Sequence, residues 1–163
     1  MQNLTALVVG VTFLLITACS QKVDIETEKV KVKTVVDQFE EVLETEDMEL
    51  LSMIFAHDTD MVNFGTDAAE RIVGWESLKE LMQKQNASFE NTKITVKDQV
   101  IKVSKHGNTA WFSEIVDWDL IAQEQPVSLE GSRFTGVLEK RNGKWVIVQF
   151  HASIPVSGQA AQY

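Results

Sequence analysis

The stretch Lys140-Arg141-Asn142-Gly143-Lys144-Trp145-Val146-Ile147-Val148-Gln149-Phe150-His151-Ala152-Ser153 carries the reading of the fold. Asn-Gly between two strand-like runs is a strong hairpin signal, because a two-residue turn needs positive φ at both central positions. Residues 128–140 and 144–154 therefore read as paired antiparallel strands. Upstream, Thr109 to Leu120 is rich in Trp, Phe, Ile and Val and reads as another long strand. Gln125-Pro126 reads as the break after it. His106-Gly107-Asn108 reads as the turn before it, preceded by a loosely alternating strand over residues 94–103.

Further upstream the period changes. Val32, Val35, Val36, Phe39, Val42 and Leu43 follow the spacing of an amphipathic helix. Asp47 is the expected N-cap of a second helix through Met48, Leu50, Leu51, Ile54 and Phe55. A third helix is expected after Gly74, with Trp75, Leu78, Leu81, Met82 and Phe89 on one stripe. Two short strands, Asp60 to Phe64 and Arg71 to Val73, flank the turn Gly65-Thr66-Asp67. Helices followed by long antiparallel strands predict an α+β domain, with three N-terminal helices laid on one face of a curved antiparallel sheet.

The chain has 163 residues and a formal net charge of −9. An acidic surface without a clustered basic patch argues against nucleic acid as a partner. No paired CxxC, HExxH, phosphate-binding glycine loop or Gly-x-Ser-x-Gly elbow occurs, so no metal and no cofactor is expected. The beginning is different in kind. Leu4 to Cys19 is an uncharged apolar run ending in Ile16-Thr17-Ala18-Cys19, followed at once by Ser20-Gln21-Lys22. It is short for a transmembrane helix, which needs about 20 apolar residues.

That segment resembles the signal peptide and lipobox of a bacterial lipoprotein, with a secretory signal lacking lipidation as the alternative. The resemblance implies an exported protein whose diacylglycerol is carried by Cys19, the only cysteine. Ser20 after it implies the periplasmic face of the outer membrane in a Gram-negative host. The expected organisation is a signal peptide over residues 1–18, Cys19 and a tether to residue 31, one domain over residues 32–157, and a tail over residues 158–163.

The domain itself resembles the nuclear transport factor 2-like fold and, within it, the SnoaL-like group. The residues that carry this are Gly74-Trp75, Thr109-Ala110-Trp111-Phe112, Arg133 to Leu138 and Asn142 to Ser153. The last motif is also similar to the final strand of calmodulin-dependent kinase association domains. The resemblance implies a cone with a pocket between helices and sheet, and a homodimer through the sheet's outer face.

His151 is the sharpest candidate for chemistry. On a strict alternation it shares a face with Trp145, Ile147 and Gln149, while Val146, Val148, Phe150 and Ala152 take the other. The mixed face suits a pocket lining. Trp75, Trp111, Arg133, Thr135 and His151 are accordingly the expected ligand-binding residues, with Arg133 as the receiver of a carboxylate. Alternation does not say which face turns inward; the inverse phase puts Phe134 and Phe150 in place of Arg133 and His151. For an enzyme, His151 would act as acid or base with Asp60 or Asp117. His57 and His106 read as solvent-facing.

Ketosteroid-isomerase-like members of the fold place a carboxylate base near the end of the first strand and a tyrosine on the first helix. Here Met61-Val62-Asn63-Phe64 ends without a carboxylate, and the only tyrosine is Tyr163. The favoured expectation is a lipid-anchored module binding a small, partly apolar, carboxylate-bearing molecule. An isomerase, dehydratase or hydrolase using His151 is the first alternative. A non-catalytic dimeric adaptor is the second.

Overall fold

The computed structural model describes residues 23–158, so the lipobox and Tyr163 lie outside the described residues. Helix α1 (Ile25–Thr45) starts at Asp24, whose side chain accepts from the Thr27 N–H, and buries Val32, Val36, Phe39, Val42 and Leu43. It takes in Ile25 to Lys31, which the sequence suggests as tether. Helix α2 (Met48–Ile54) is capped by Asp47, which accepts from the N–H groups of Glu49 and Leu50. Strands β1 (Val62–Phe64) and β2 (Arg71–Val73) follow, then helix α3 (Trp75–Asn86). The chain closes with four long strands: β3 (Phe89–Val103), β4 (Thr109–Ala122), β5 (Gln125–Arg141) and β6 (Lys144–Ser153).

The six strands form one sheet in the order β2-β1-β6-β5-β4-β3. The β1–β6 pair is parallel and the others antiparallel. The core lies between the helices and one face, where Phe112, Val116, Trp118, Phe134, Leu138, Ile147 and Phe150 are buried. Register shifts interrupt every pairing among β3 to β6. Such bulges bend and twist the strands, which is how a sheet curves around helices.

Two sequence expectations need correction. The β4–β5 turn is Gln123-Glu124, not Gln125-Pro126: both residues have positive φ (51° and 63°), and Ala122 pairs with Gln125. Polar residues without glycine hid this turn. Pro126 sits instead in the part of β5 that extends past the end of β6, where a missing N–H costs no ladder bond. Second, α3 ends at Asn86 and Phe89 opens β3, so that phenylalanine belongs to the sheet.

Candidate functional site

A cavity of about 140 Å³ lies between α1, α3, β1 and the inner face of the sheet. Its walls are Phe39 and Leu43 of α1, Leu78, Leu81 and Met82 of α3, Phe89, and Trp118, Leu129, Phe134, Phe150 and Ala152 of the sheet. The aromatic rings meet edge-on: Phe39–Phe150 at 4.6 Å, Phe134–Phe150 at 5.2 Å and Trp118–Phe134 at 6.1 Å between centroids. That geometry is favourable for aromatic pairs and holds the walls in place. Gly65, Thr66, Asp67 and Glu70 at the β1–β2 turn, with Phe64 and Gln85, form the rim. Glu70 Oε2 accepts from the Asp67 N–H at 3.0 Å. A Cβ on Gly65 would collide with the Glu70 side chain, so glycine is what lets Glu70 fold back over the turn.

Two residues of the lining each carry a buried polar atom with no hydrogen-bond partner. Asn63 is 2% exposed, and its Oδ1 accepts from the Phe150 N–H at 2.9 Å. An N–H only donates, which fixes the amide's orientation and leaves Nδ2 free. Nδ2 is buried without a hydrogen bond, and so is Nε1 of Trp118. No Lys, Arg or His lines the cavity. Its titratable groups are Asp67 and Glu70.

Residues 32–157 match the SnoaL-like domain family. The chain belongs to that family. Among solved structures, a nuclear transport factor 2-like superfamily protein from Salmonella enterica has a TM-score of 0.74 at 19% identity, over 85% of this chain and 99% of that one. A proposed dehydratase of the same superfamily from Streptomyces avermitilis has 0.71 at 16% identity, over 81% and 99%. A proposed calcium/calmodulin-dependent protein kinase II association domain from Xanthomonas campestris has 0.64 at 20% identity, over 76% and 85%. At these identities the likeness concerns the fold. No curated protein matches the chain.

In this SnoaL-like domain the residues expected to line the pocket lie elsewhere. Arg133, Thr135 and His151 occupy the outer face, with Thr135 directly opposite His151 across β5 and β6. Trp111 shares that face, 49% exposed. The cause for His151 is a bulge at Val148: Val137 pairs with Gln149, and the adjacent Leu138 pairs with Ile147. One extra residue inverts every side chain beyond it. Trp145 and Ile147 therefore point inward together with Phe150 and Ala152, whereas His151 points out. Phe134 and Phe150, the inverse-phase pair, are the ones in the cavity wall.

Trp75 is buried at the start of α3 and stacks on the exposed His57 at 4.3 Å, away from the cavity. Asp117 is drawn to Lys97 at 2.5 Å and accepts from the Gly131 N–H at 2.9 Å, which together hold its carboxyl below the ordinary range. Asp60 is exposed ahead of β1, and His106 is exposed in its turn. Among the described residues no carboxylate hydrogen-bonds to His151; its ring meets that of Phe64 edge-on at 5.8 Å. No group of three or more His, Cys, Asp or Glu among the described residues is placed to hold a metal ion.

Two acidic arrangements of the SnoaL-like domain escaped the sequence reading. Glu28 of α1 is buried and accepts from Lys31 Nζ, Lys140 Nζ and Trp145 Nε1, each at 2.8 Å. Lys140 above all, then Lys31, brings its carboxyl down to about 2. Glu40 of α1 meets Glu114 of β4, which is 2% exposed and accepts from Gln99 Nε2 at 3.0 Å. Burial first, then the neighbouring Glu114, pushes Glu40 up to about 9. Burial raises Glu114 as well.

Proposed function

We propose that this SnoaL-like domain is a binding module that takes one small, neutral, largely apolar molecule into the cavity and is held at the cell envelope by lipid on Cys19. The observation that supports it is an aromatic and aliphatic cavity of about 140 Å³ without a cationic residue. An apolar cavity of about 150 Å³ accommodates a benzene-sized molecule. Pockets for drug-sized ligands run from about 300 Å³ upward, so the fitting ligand is a single ring or short branched chain. Asp67 and Glu70 on the rim disfavour an anion, and Arg133 is not there to receive one. The carboxylate expected from the sequence is therefore dropped from the ligand.

A homodimer through the outer face is part of the same reading. Val100, 44% exposed, and Trp111 stand on neighbouring strands there, with Ile115 and Val137 beside them. If the ligand is turned over, Asp67 and Glu70 are the acid–base groups at hand, because His151 is on the far side of the sheet.

The test is native mass spectrometry of the protein taken gently from membranes, followed by denaturing extraction. A retained neutral molecule of low mass, absent from Ala152→Phe, is the expected result. An empty protein that also fails to take up benzene saturably would overturn the binding reading.

A further inference from the structure

We propose that the β1–β2 turn, residues 65–70, is the gate of the cavity, and that the Glu70 side chain folded over Gly65 is its latch. This rests on the reading of the cavity as a binding site and names the route by which a ligand enters and leaves.

A wall opens where opening breaks least. Every lining residue outside the turn belongs to a helix or a strand, whereas Gly65, Thr66, Asp67 and Glu70 belong to neither. Parting α1 or α3 from the sheet would uncover core side chains, and parting the long strands would break their ladders. The turn is bonded only within its own hairpin. Gly65 donates its N–H to the Glu70 carbonyl, Glu70 to that of Asp67 and Arg71 to that of Ala69, each at 3.0 Å. Among the described residues no hydrogen bond or ion pair joins residues 65–70 to α1, α3 or the four long strands. Asp67, Ala68 and Ala69 are exposed, so unravelling the turn uncovers little apolar surface. Lids over binding sites are drawn from segments of such low local stability.

One side-chain bond holds the turn in shape. Glu70 Oε2 accepts from the Asp67 N–H at 3.0 Å, and the carboxylate passes over Gly65 to do so. A Cβ at position 65 would meet Oε2 itself. Glycine at 65 and the acid at 70 therefore work as a pair, and the loss of either breaks the latch. With the latch made, the turn stays folded at the mouth; without it, the turn unravels more often. Such a gate governs how fast a ligand crosses, not how well the closed cavity holds it. Entry and exit rates then change together, and their ratio stays the same.

The test is fluorobenzene exchange between free and bound states, followed by fluorine-19 magnetisation transfer on the full-length protein. Glu70→Ala deletes the acceptor, Gly65→Ala displaces it, and Glu70→Gln keeps an oxygen that accepts the same bond. Both alanine variants are expected to speed entry and exit about fivefold, as the loss of one net hydrogen bond implies, with Kd unchanged. Glu70→Gln should exchange at the wild-type rate. Bound fluorobenzene exchanging at the wild-type rate in both alanine variants overturns the gate and leaves the binding module standing. Exchange quickened equally in Glu70→Gln overturns the latch. A protein that takes up no fluorobenzene overturns the gate and the binding module together.

Discussion

The indole N–H of Trp145 donates to Oε2 of Glu28 at 2.8 Å, and this buried contact ties the last strand to the first helix. The same oxygen takes Lys140 Nζ, and Oε1 takes Lys31 Nζ. A carboxylate with three donors is stabilised as the anion, in agreement with its descent from 4.5 to about 2. Its contribution to stability is complete above the unfolded value and disappears as pH falls from 4.5 towards 2. Glu28→Gln should cost about 2 kcal/mol at pH 7, in line with charged hydrogen bonds at a partly wet rim. Urea unfolding of both proteins should show the gap closing as pH approaches 2. A gap constant across pH would mean that the charge is irrelevant.

Glu40 and Glu114 behave in the opposite sense. Burial raises both, and Glu40 at about 9 keeps its proton at neutral pH. Because the folded state holds a proton that the unfolded chain releases, stability is full below pH 4.5 and falls as pH rises towards 9. Asp37, Gln99 and Lys33 border the pair, with Lys33 already engaged by Asp37 at 2.6 Å. Glu40→Gln replaces a protonated acid by a neutral group that donates to Glu114 in the same way. It should add about 1–2 kcal/mol at pH 8 and almost nothing at pH 4.5. Thermal melts at the two pH values decide it; equal shifts at both would remove the proton from the explanation.

What was legible in the sequence follows from periodicity and turn chemistry. The apolar spacing of α1, the Asp47 cap and the Asn142-Gly143 hairpin are local signals, and the structure has all three. The cavity was not legible, because the face of a long strand depends on counting by twos without error. The bulge at Val148 breaks the count within β6, and no residue type announces it. The expectation that a mixed face lines the pocket also failed physically: an apolar cavity is walled by core residues. Asp67 and Glu70 reach the rim through the turn after β1, three to six residues beyond the place where a base was sought. The orphaned donors of Asn63 and Trp118 are a property of packing, visible only once partners can be counted.

Gly136 is a position where the core admits nothing larger. It pairs with Phe112 on β4 and Phe150 on β6, facing inward between them. A Cβ there would lie 2.5 Å from Phe112 Cε1 and 2.8 Å from the Gln149 carbonyl oxygen. The ring could swing, but the carbonyl belongs to the next strand's backbone and moves only with the ladder. Gly136→Ala should therefore destabilise by about 1–3 kcal/mol, although alanine favours a strand no less than glycine does. Equilibrium denaturation measures it; an unchanged midpoint would show that the β5–β6 ladder yields easily.

The proposed lipid on Cys19 makes a separate prediction, independent of the cavity. No helix among the described residues is long and apolar enough to cross a membrane. The net charge of −9 gives no attraction to anionic lipid. Membrane attachment through Cys19 would then reside in acyl chains, each buried methylene contributing about 0.8 kcal/mol. Cys19→Ser removes the only thiol in the chain. In cells fed labelled palmitate, the wild-type protein should carry label and sediment with membranes, whereas Cys19→Ser should carry none and leave the membrane fraction. Label retained by the variant would place the lipid on another residue and remove the support for the lipobox. A wild-type protein free of label would overturn the lipid anchor.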